Sequence, residues 1–192
     1  MIWAILLAAG ESKRMGTPKQ LLPYGDKTII EAVIDHMTHS RLDGVLVVLG
    51  AHREKIEKII AGLPVKTVYN PRYEEGMLSS VQTGFSSLPK DARAVLVFLG
   101  DQPMVPSSVI DRIIETYRSG EKGIVLPVFG GTRGHPVLID TKYSQEVAAL
   151  DPEIGLRELI HNHPEDIMEV DADTPTIIED IDTPEDYNKL KN

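Results

Sequence analysis

Three stretches of the chain carry apolar side chains without interruption: IWAILLA (residues 2–8), VLVVLG (45–50) and AVLVFLG (94–100). Short apolar runs of this kind are strands buried on both faces, as in a mainly parallel sheet. Between them the period changes to that of a helix. Thr28 and Glu31 form a capping box, followed by Ile30, Val33, Ile34 and Met37 at helical spacing. Ile56, Ile59 and Ile60 mark a second helix, and Met77, Val81 and Phe85 a third. Ile110, Ile113, Ile114 and Tyr117 mark a fourth, with Ser107 or Ser108 expected at its cap. Strands alternating with amphipathic helices predict a three-layer α/β fold.

After Ile124 the rhythm changes. IVLPVF and PVLID, joined by the Gly-rich GGTRGH, read as two strands that pair antiparallel. A helix led by Pro152 is expected next, then short strands at IMEV and TIIED. TPEDYNKL reads as a closing helix with Thr183 at the cap and Pro184 in the first turn. No repeat, low-complexity segment or internal linker interrupts the 192 residues, which are expected to form one domain.

Composition narrows the chemistry. The net charge of -9 argues against nucleic acid or an anionic membrane as the main partner. The absence of cysteine excludes disulfides, Cys-zinc sites, iron–sulfur ligation and thiol catalysis. No apolar run approaches membrane-spanning length, and the early basic residues follow the first apolar run rather than precede it. A cytoplasmic protein is expected.

Against that acidic background, LLAAGESKRMGTPKQLLP (residues 6–23) gathers Lys13, Arg14 and Lys19 with Gly10 and Gly16, opposed only by Glu11. It follows the first strand, where open α/β sheets bind ligands. Residues 9–27 lack a strong helix or strand period, and a loop of that length is usually functional. Two well-known phosphate loops do not fit. Ser12 stands where a dinucleotide fingerprint needs its second glycine, and Met15 where a Walker A loop needs its own. Glycines that let N–H groups approach an anion, and a local excess of cations, remain. A solvated basic loop is the plainer reading of the same residues.

The motif L-A-A-G-x-S-x-R-M-G-x-x-K-x-L-L-P resembles the signature of nucleotidyltransferases that use a nucleoside triphosphate and release pyrophosphate. Most similar is the molybdenum cofactor cytidylyltransferase and guanylyltransferase group. The resemblance implies a three-layer αβα, Rossmann-like nucleotidyltransferase fold with a mixed, mainly parallel sheet. It implies that Leu7, Ala8, Ala9, Gly10 and Gly16 border the nucleotide, and that Arg14 and Lys19 hold phosphates. Lys19 is then the leading candidate for stabilising the transition state.

Further constellations acquire roles from the same resemblance. FLGDQPMV puts Asp101 just past a buried strand, where a carboxylate can ligate Mg²⁺ or cap a turn; the resemblance of G-D-Q-P favours the metal. In EDIDTPEDY, Glu185 and Asp186 suit the first turn of a helix. Asp182 lies outside it, and the resemblance gives it a share of the metal, with Asp180 a lesser candidate. EEGMLSSVQTGF opens a helix at Gly76. Ser79 and Ser80 are candidates to meet the nucleotide, and Gly84 implies close packing or close ligand approach. R-G-H-P resembles the family's acceptor-side loop, so Arg133 and His135 are acceptor candidates, as are Gly155 and Arg157 of GLREL. His135 is not needed as a base, because a phosphate nucleophile is already ionised. His161 and His163 are poor candidates for a transition-metal site, and His36, His39 and His52 are expected on helix surfaces.

The implied reaction is Mg²⁺-dependent transfer of a nucleoside monophosphate to a molybdopterin-type acceptor. CTP is preferred and GTP possible, and a molybdenum enzyme or its chaperone is a candidate recipient. A nucleotidyltransferase for a sugar or polyol phosphate, and a non-catalytic pterin- or nucleotide-binding delivery protein, are the alternatives.

Overall fold

The computed structural model describes residues 1–189, so Leu190 of the expected closing helix lies outside the described residues. Strands β1 (Ile2–Ala8), β2 (Pro23–Tyr24), β3 (Lys27–Thr28), β4 (Gly44–Leu49), β5 (Lys66–Tyr69), β6 (Ala94–Leu99), β7 (Ile124–Phe129), β8 (Thr132–Arg133), β9 (Val137–Asp140) and β10 (Ile167–Asp171) follow in chain order. The helices are α1 (Ile29–Thr38), α2 (Arg53–Ile60), α3 (Met77–Ser86), α4 (Ser107–Ser119), α5 (Ser144–Ala149), α6 (Leu156–Asn162) and α7 (Pro184–Lys189). The central sheet runs β10-β7-β9-β6-β1-β4-β5, with β8 hydrogen-bonded to β7. β1 is parallel to both β4 and β6, while β9 is antiparallel to β6 and to β7.

The three apolar runs become the three adjacent central strands because both of their faces are covered. Ile2, Ala4, Leu6 and Ala8 face the cluster that includes Ile30 and Val33 of α1, Ile56 of α2 and Ile110 of α4. Ile5 and Leu7 face Val81 and Phe85 of α3, Val147 of α5 and Leu159 of α6. The result is a three-layer αβα sandwich, as the alternation predicts, and it is Rossmann-like with a mixed, mainly parallel sheet, as the resemblance implies. Thr28 and Glu31 form the capping box in both directions, with Thr28 N–H donating to Glu31 Oε2 at 2.8 Å and Glu31 N–H to Thr28 Oγ1 at 3.4 Å. Gly84 is explained by packing: a Cβ there would lie 2.7 Å from the Ile5 side chain.

Several expectations are corrected. IVLPVF and PVLID do pair antiparallel, but β7 first folds back on β8, and β9 then enters between β7 and β6. TIIED forms no strand: a 3-10 turn covers Pro175–Ile177, because Thr174 caps it and Pro175 lacks the N–H a ladder needs. The helix expected from Pro152 begins at Leu156, after a turn in which Ile154 and Gly155 N–H both donate to Asp151 C=O. Neither Ser107 nor Ser108 caps α4; Pro106 precedes it, and Ser107 Oγ donates instead to His36 C=O at 2.8 Å. Within the long first loop, a 3-10 turn (Lys19–Leu21) and the β2–β3 hairpin add local order. His36 is half-buried rather than superficial, and burial holds its pKa below the ordinary value.

Candidate active site

Parallel strands end on the same side of a sheet, so the loops after β1 and β6 meet there. The β1 loop is braced from within. Ser12 takes a left-handed backbone (φ 55°), and its hydroxyl accepts from Lys19 N–H at 3.1 Å, so the residue that spoils the dinucleotide fingerprint fixes the turn that presents Lys19. Lys19 Nζ reaches Asp101, beyond β6, and also Asp182 Oδ1 at 3.0 Å. Arg14 Nη2 contacts the other oxygen of Asp182 at 2.7 Å.

Asp101 and Asp182 are 81 residues apart in sequence. Ile181 N–H donates to Asp101 C=O at 3.1 Å and so brings the two carboxylates together. Ile181 and Tyr187 also pack with Ile29, against Met15, Leu22 and Tyr24, and Tyr187 Oη donates to Pro23 C=O at 2.6 Å. α7 is secured at its own start, where Thr183 N–H donates to Asp186 Oδ2 and Asp186 N–H donates back to Thr183 Oγ1. The closing helix thus docks on the first loop and delivers Asp182 to the cleft.

Burial opposes the charge on Lys19, but Asp101 and Asp182 outweigh it and its pKa is raised. Burial likewise opposes the charge on Asp182, yet Lys19 and Arg14 hold its pKa below the ordinary carboxylate value. At Asp180, partial burial and then the charges of Asp182 and Asp101 push the pKa up, against the pull of Lys19.

The cleft around this cluster has a volume of about 400 Å³. Of the expected residues, Leu7, Ala9, Gly10, Arg14, Lys19, Ser80, Asp101 and Asp182 border it. Ala8 faces the core, and Gly16 sits in the turn closed by its N–H donating to Ser12 C=O. Ser79 points elsewhere: its single hydroxyl proton serves the backbone carbonyls of Arg72 or Gly76, each 2.8 Å away, and its oxygen accepts from buried Asn70. Lys13 pairs with Glu11 at 2.8 Å on the surface. The sequence reading missed Gln20, Tyr73, Glu74 and Gly76 as cleft residues. The first adjoins the Lys19 signature; the other three belong to a 3-10 turn and helix entry with no apolar period to mark them.

A second cavity of about 820 Å³ shares Met77 with the first. Its walls are largely aliphatic, including Val81, Val97, Leu126, Val137 and Ile160. Polar character comes from Arg133, His135, Arg157 and His161. Arg133 Nε donates to Glu169 Oε1 at 2.7 Å, and burial lowers the pKa of His135 although Asp101 acts to raise it. His163 turns away toward Glu146, 2.8 Å from its Nε2.

Residues 4–167 match the MobA-like NTP transferase domain. The chain belongs to the MobA-like NTP transferase family. Relatives within reach of full-length comparison include the nicotine blue oxidoreductase of Paenarthrobacter nicotinovorans, 29% identical over 98% of this chain and 96% of that protein. The molybdenum cofactor cytidylyltransferase of Escherichia coli is 26% identical over 97% of this chain and 94% of its own length. Among solved structures, Rv0371c of Mycobacterium tuberculosis H37Rv superposes with a TM-score of 0.88 at 30% identity, covering 98% of this chain and 96% of that one. A manganese complex of Rv0371c superposes with a TM-score of 0.81 at 27% identity, over 98% and 97% of the two chains. This MobA-like chain is therefore a nucleotidyltransferase by family, with its Lys19–Asp101–Asp182 cluster beside the first loop.

Proposed function

We propose that the 192 residues act as one nucleotidyltransferase domain that moves CMP from CTP to the phosphate of a molybdopterin-type acceptor, releasing pyrophosphate. The observation that carries this reading is the convergence of Lys19, Arg14, Asp101 and Asp182 in one cleft that shares Met77 with a second, cation-bearing cavity. Gly10 and Ala9 border the triphosphate and nucleoside, Ser80 approaches them from the start of α3, and Lys19 and Arg14 neutralise charge on the leaving pyrophosphate. The acceptor occupies the aliphatic cavity, with Arg133, Arg157 and His135 toward its anionic group. Its phosphate oxygen attacks the α-phosphorus in line with the departing oxygen, a reaction accelerated by positioning and charge stabilisation.

The carboxylates suit a hard divalent cation. Asp101 Oδ1 is buried without a hydrogen-bond partner, while no group of three or more acidic, histidine or cysteine side chains gathers among the described residues. Mg²⁺ favours that combination, since it binds through one or two carboxylates and completes its shell with substrate phosphates and water. Asp101 and Asp182 would hold it, and it would supply neutralisation of phosphate charge.

CTP is favoured over GTP by the resemblance of the first loop and G-D-Q-P to the cytidylyltransferase branch, and by the Escherichia coli relative. An oxidoreductase reading is favoured by one observation, the name of the Paenarthrobacter relative. The first loop lacks a dinucleotide fingerprint, since Ser12 stands at its second glycine, so transfer of a nucleotide stands first. The test is pyrophosphate release with Mg²⁺ and molybdopterin acceptor, offering CTP, GTP, ATP and UTP separately. Release with CTP is expected; release with GTP alone would overturn the base, and release with none would overturn the reaction or its acceptor.

A further inference from the structure

The turn between β4 and α2 grips the backbone of the first loop. Ala51 N–H donates to Ala9 C=O at 3.1 Å. His52 Nε2 lies 3.2 Å from Glu11 C=O, an acceptor that requires the ring proton on Nε2. Gly50 makes this approach possible, since a Cβ there would stand 2.4 Å from Ala9 C=O and 2.8 Å from Tyr73 Cβ. The two gripped carbonyls alternate along the loop. In a trans peptide the C=O and the following N–H point in opposite directions. Holding Ala9 and Glu11 carbonyls toward β4–α2 therefore turns the N–H groups of Gly10 and Ser12 the other way, and Gly10 and Glu11 border the cleft. Among the described residues, the N–H groups of Gly10, Glu11 and Ser12 have no acceptor. Successive unpaired N–H groups aimed at one space form an anion-binding concavity.

We propose that the β4–α2 turn is an orienting clamp for the nucleotide loop, and that His52 is a positioning residue that sets the Glu11–Ser12 peptide beside the cleft without itself touching the nucleotide. This rests on the transferase reading for the identity of the anion. His52 is not otherwise committed. Its side chain does not cap α2: Arg53 N–H donates to Gly50 C=O, and Lys55 and Ile56 N–H donate to the His52 backbone carbonyl. Removing the ring therefore leaves the helix start intact.

The test compares wild type with His52→Ala and His52→Gln in the full chain, titrated with Mg²⁺–CTP, while thermal melting follows the fold. Loss of one hydrogen bond in a positioned loop is expected to weaken nucleotide binding about 2- to 10-fold in His52→Ala. Affinity should return in His52→Gln, whose amide N–H can reach the same carbonyl, and melting should be unchanged in both. Equal affinity in wild type and His52→Ala would overturn the proposal, as would equal loss in both variants. Amide NMR shifts of Glu11 and Ser12 are read in parallel without nucleotide. They are expected to move in His52→Ala and return in His52→Gln, and unmoved shifts would overturn the clamp. If wild type binds none of the four nucleoside triphosphates, the transferase reading fails, and the shifts alone decide the clamp.

Discussion

At the scale of single residues, the site is a balance of charges in which Lys19 answers two carboxylates at once. Replacing Asp101 by Ala removes a group with one buried, unpartnered oxygen and a short contact to Lys19. We expect nucleotide-dependent pyrophosphate release to fall by about a thousandfold or more, as loss of several kcal/mol of charge stabilisation requires, with the circular dichroism spectrum retained. Full activity would remove Asp101 from the mechanism. Asp180 behaves in the opposite sense from Asp182. Its pKa is raised, so its ionised form is disfavoured in the folded state, and it costs stability once the pH exceeds its folded value. Below the unfolded value it is protonated in both states and costs nothing. Asp180→Asn is therefore expected to raise the melting temperature slightly at neutral pH, with the gain vanishing near pH 3 to about 3.5. The effect is small because the residue is solvent-exposed. Asp182, with a lowered pKa, contributes stability above the unfolded carboxylate value and loses it as pH falls through the folded one. The resemblance joined Asp101 to Asp182 at one metal, but the contact of Lys19 with both carboxylates and the opposite pKa shifts of Asp180 and Asp182 depend on spatial neighbours that the sequence does not display.

At the scale of elements, legibility followed burial. β1, β4 and β6 announce themselves because both faces must be apolar, whereas β5 is an edge strand with Lys66, Thr67 and Tyr69 exposed and carries no such pattern. The capping box of α1 is a local device and reads directly from Thr28 and Glu31. The insertion of β9 between β6 and β7 is a choice among long-range pairings, which alternation alone does not specify. The docking of α7 is likewise non-local, and it supplies half of the carboxylate pair. Tyr187→Phe deletes its hydrogen bond to Pro23 C=O while keeping the ring in the Ile29–Ile181 cluster. Urea unfolding should report a loss of about 0.5–1.5 kcal/mol. The KM for nucleotide should rise as well, because Asp182 rides on the same segment. A stability loss with an unchanged KM would separate the helix from the site.

At the scale of the whole molecule, an acidic protein of net charge -9 concentrates its candidate phosphate ligands, Arg14 and Lys19, in one cleft. The long-range field repels a triphosphate while the near field attracts it. Screening acts over about 8 Å at physiological salt, so raising salt weakens both. Paired short contacts dominate binding, and Mg²⁺–CTP affinity is expected to fall only a few-fold between low and about 0.5 M salt, as titration at increasing NaCl would record. A steep decline would mean that the outer field governs capture. None of the helices among the described residues is long and apolar enough to cross a membrane. The docking of residues 181–187 onto Met15, Leu22 and Ile29 also has a consequence in time. Synthesis proceeds from the first strand onward, so a nascent chain released through β10 has every strand of the sheet and the whole basic loop but lacks Asp182. That chain also lacks Ala172, Ile177, Ile181 and Tyr187, which belong to the buried clusters. Residues 172–187 are thus made after every strand of the sheet, and their packing onto the first loop is expected to close the core and to join Asp182 to Asp101 in one step.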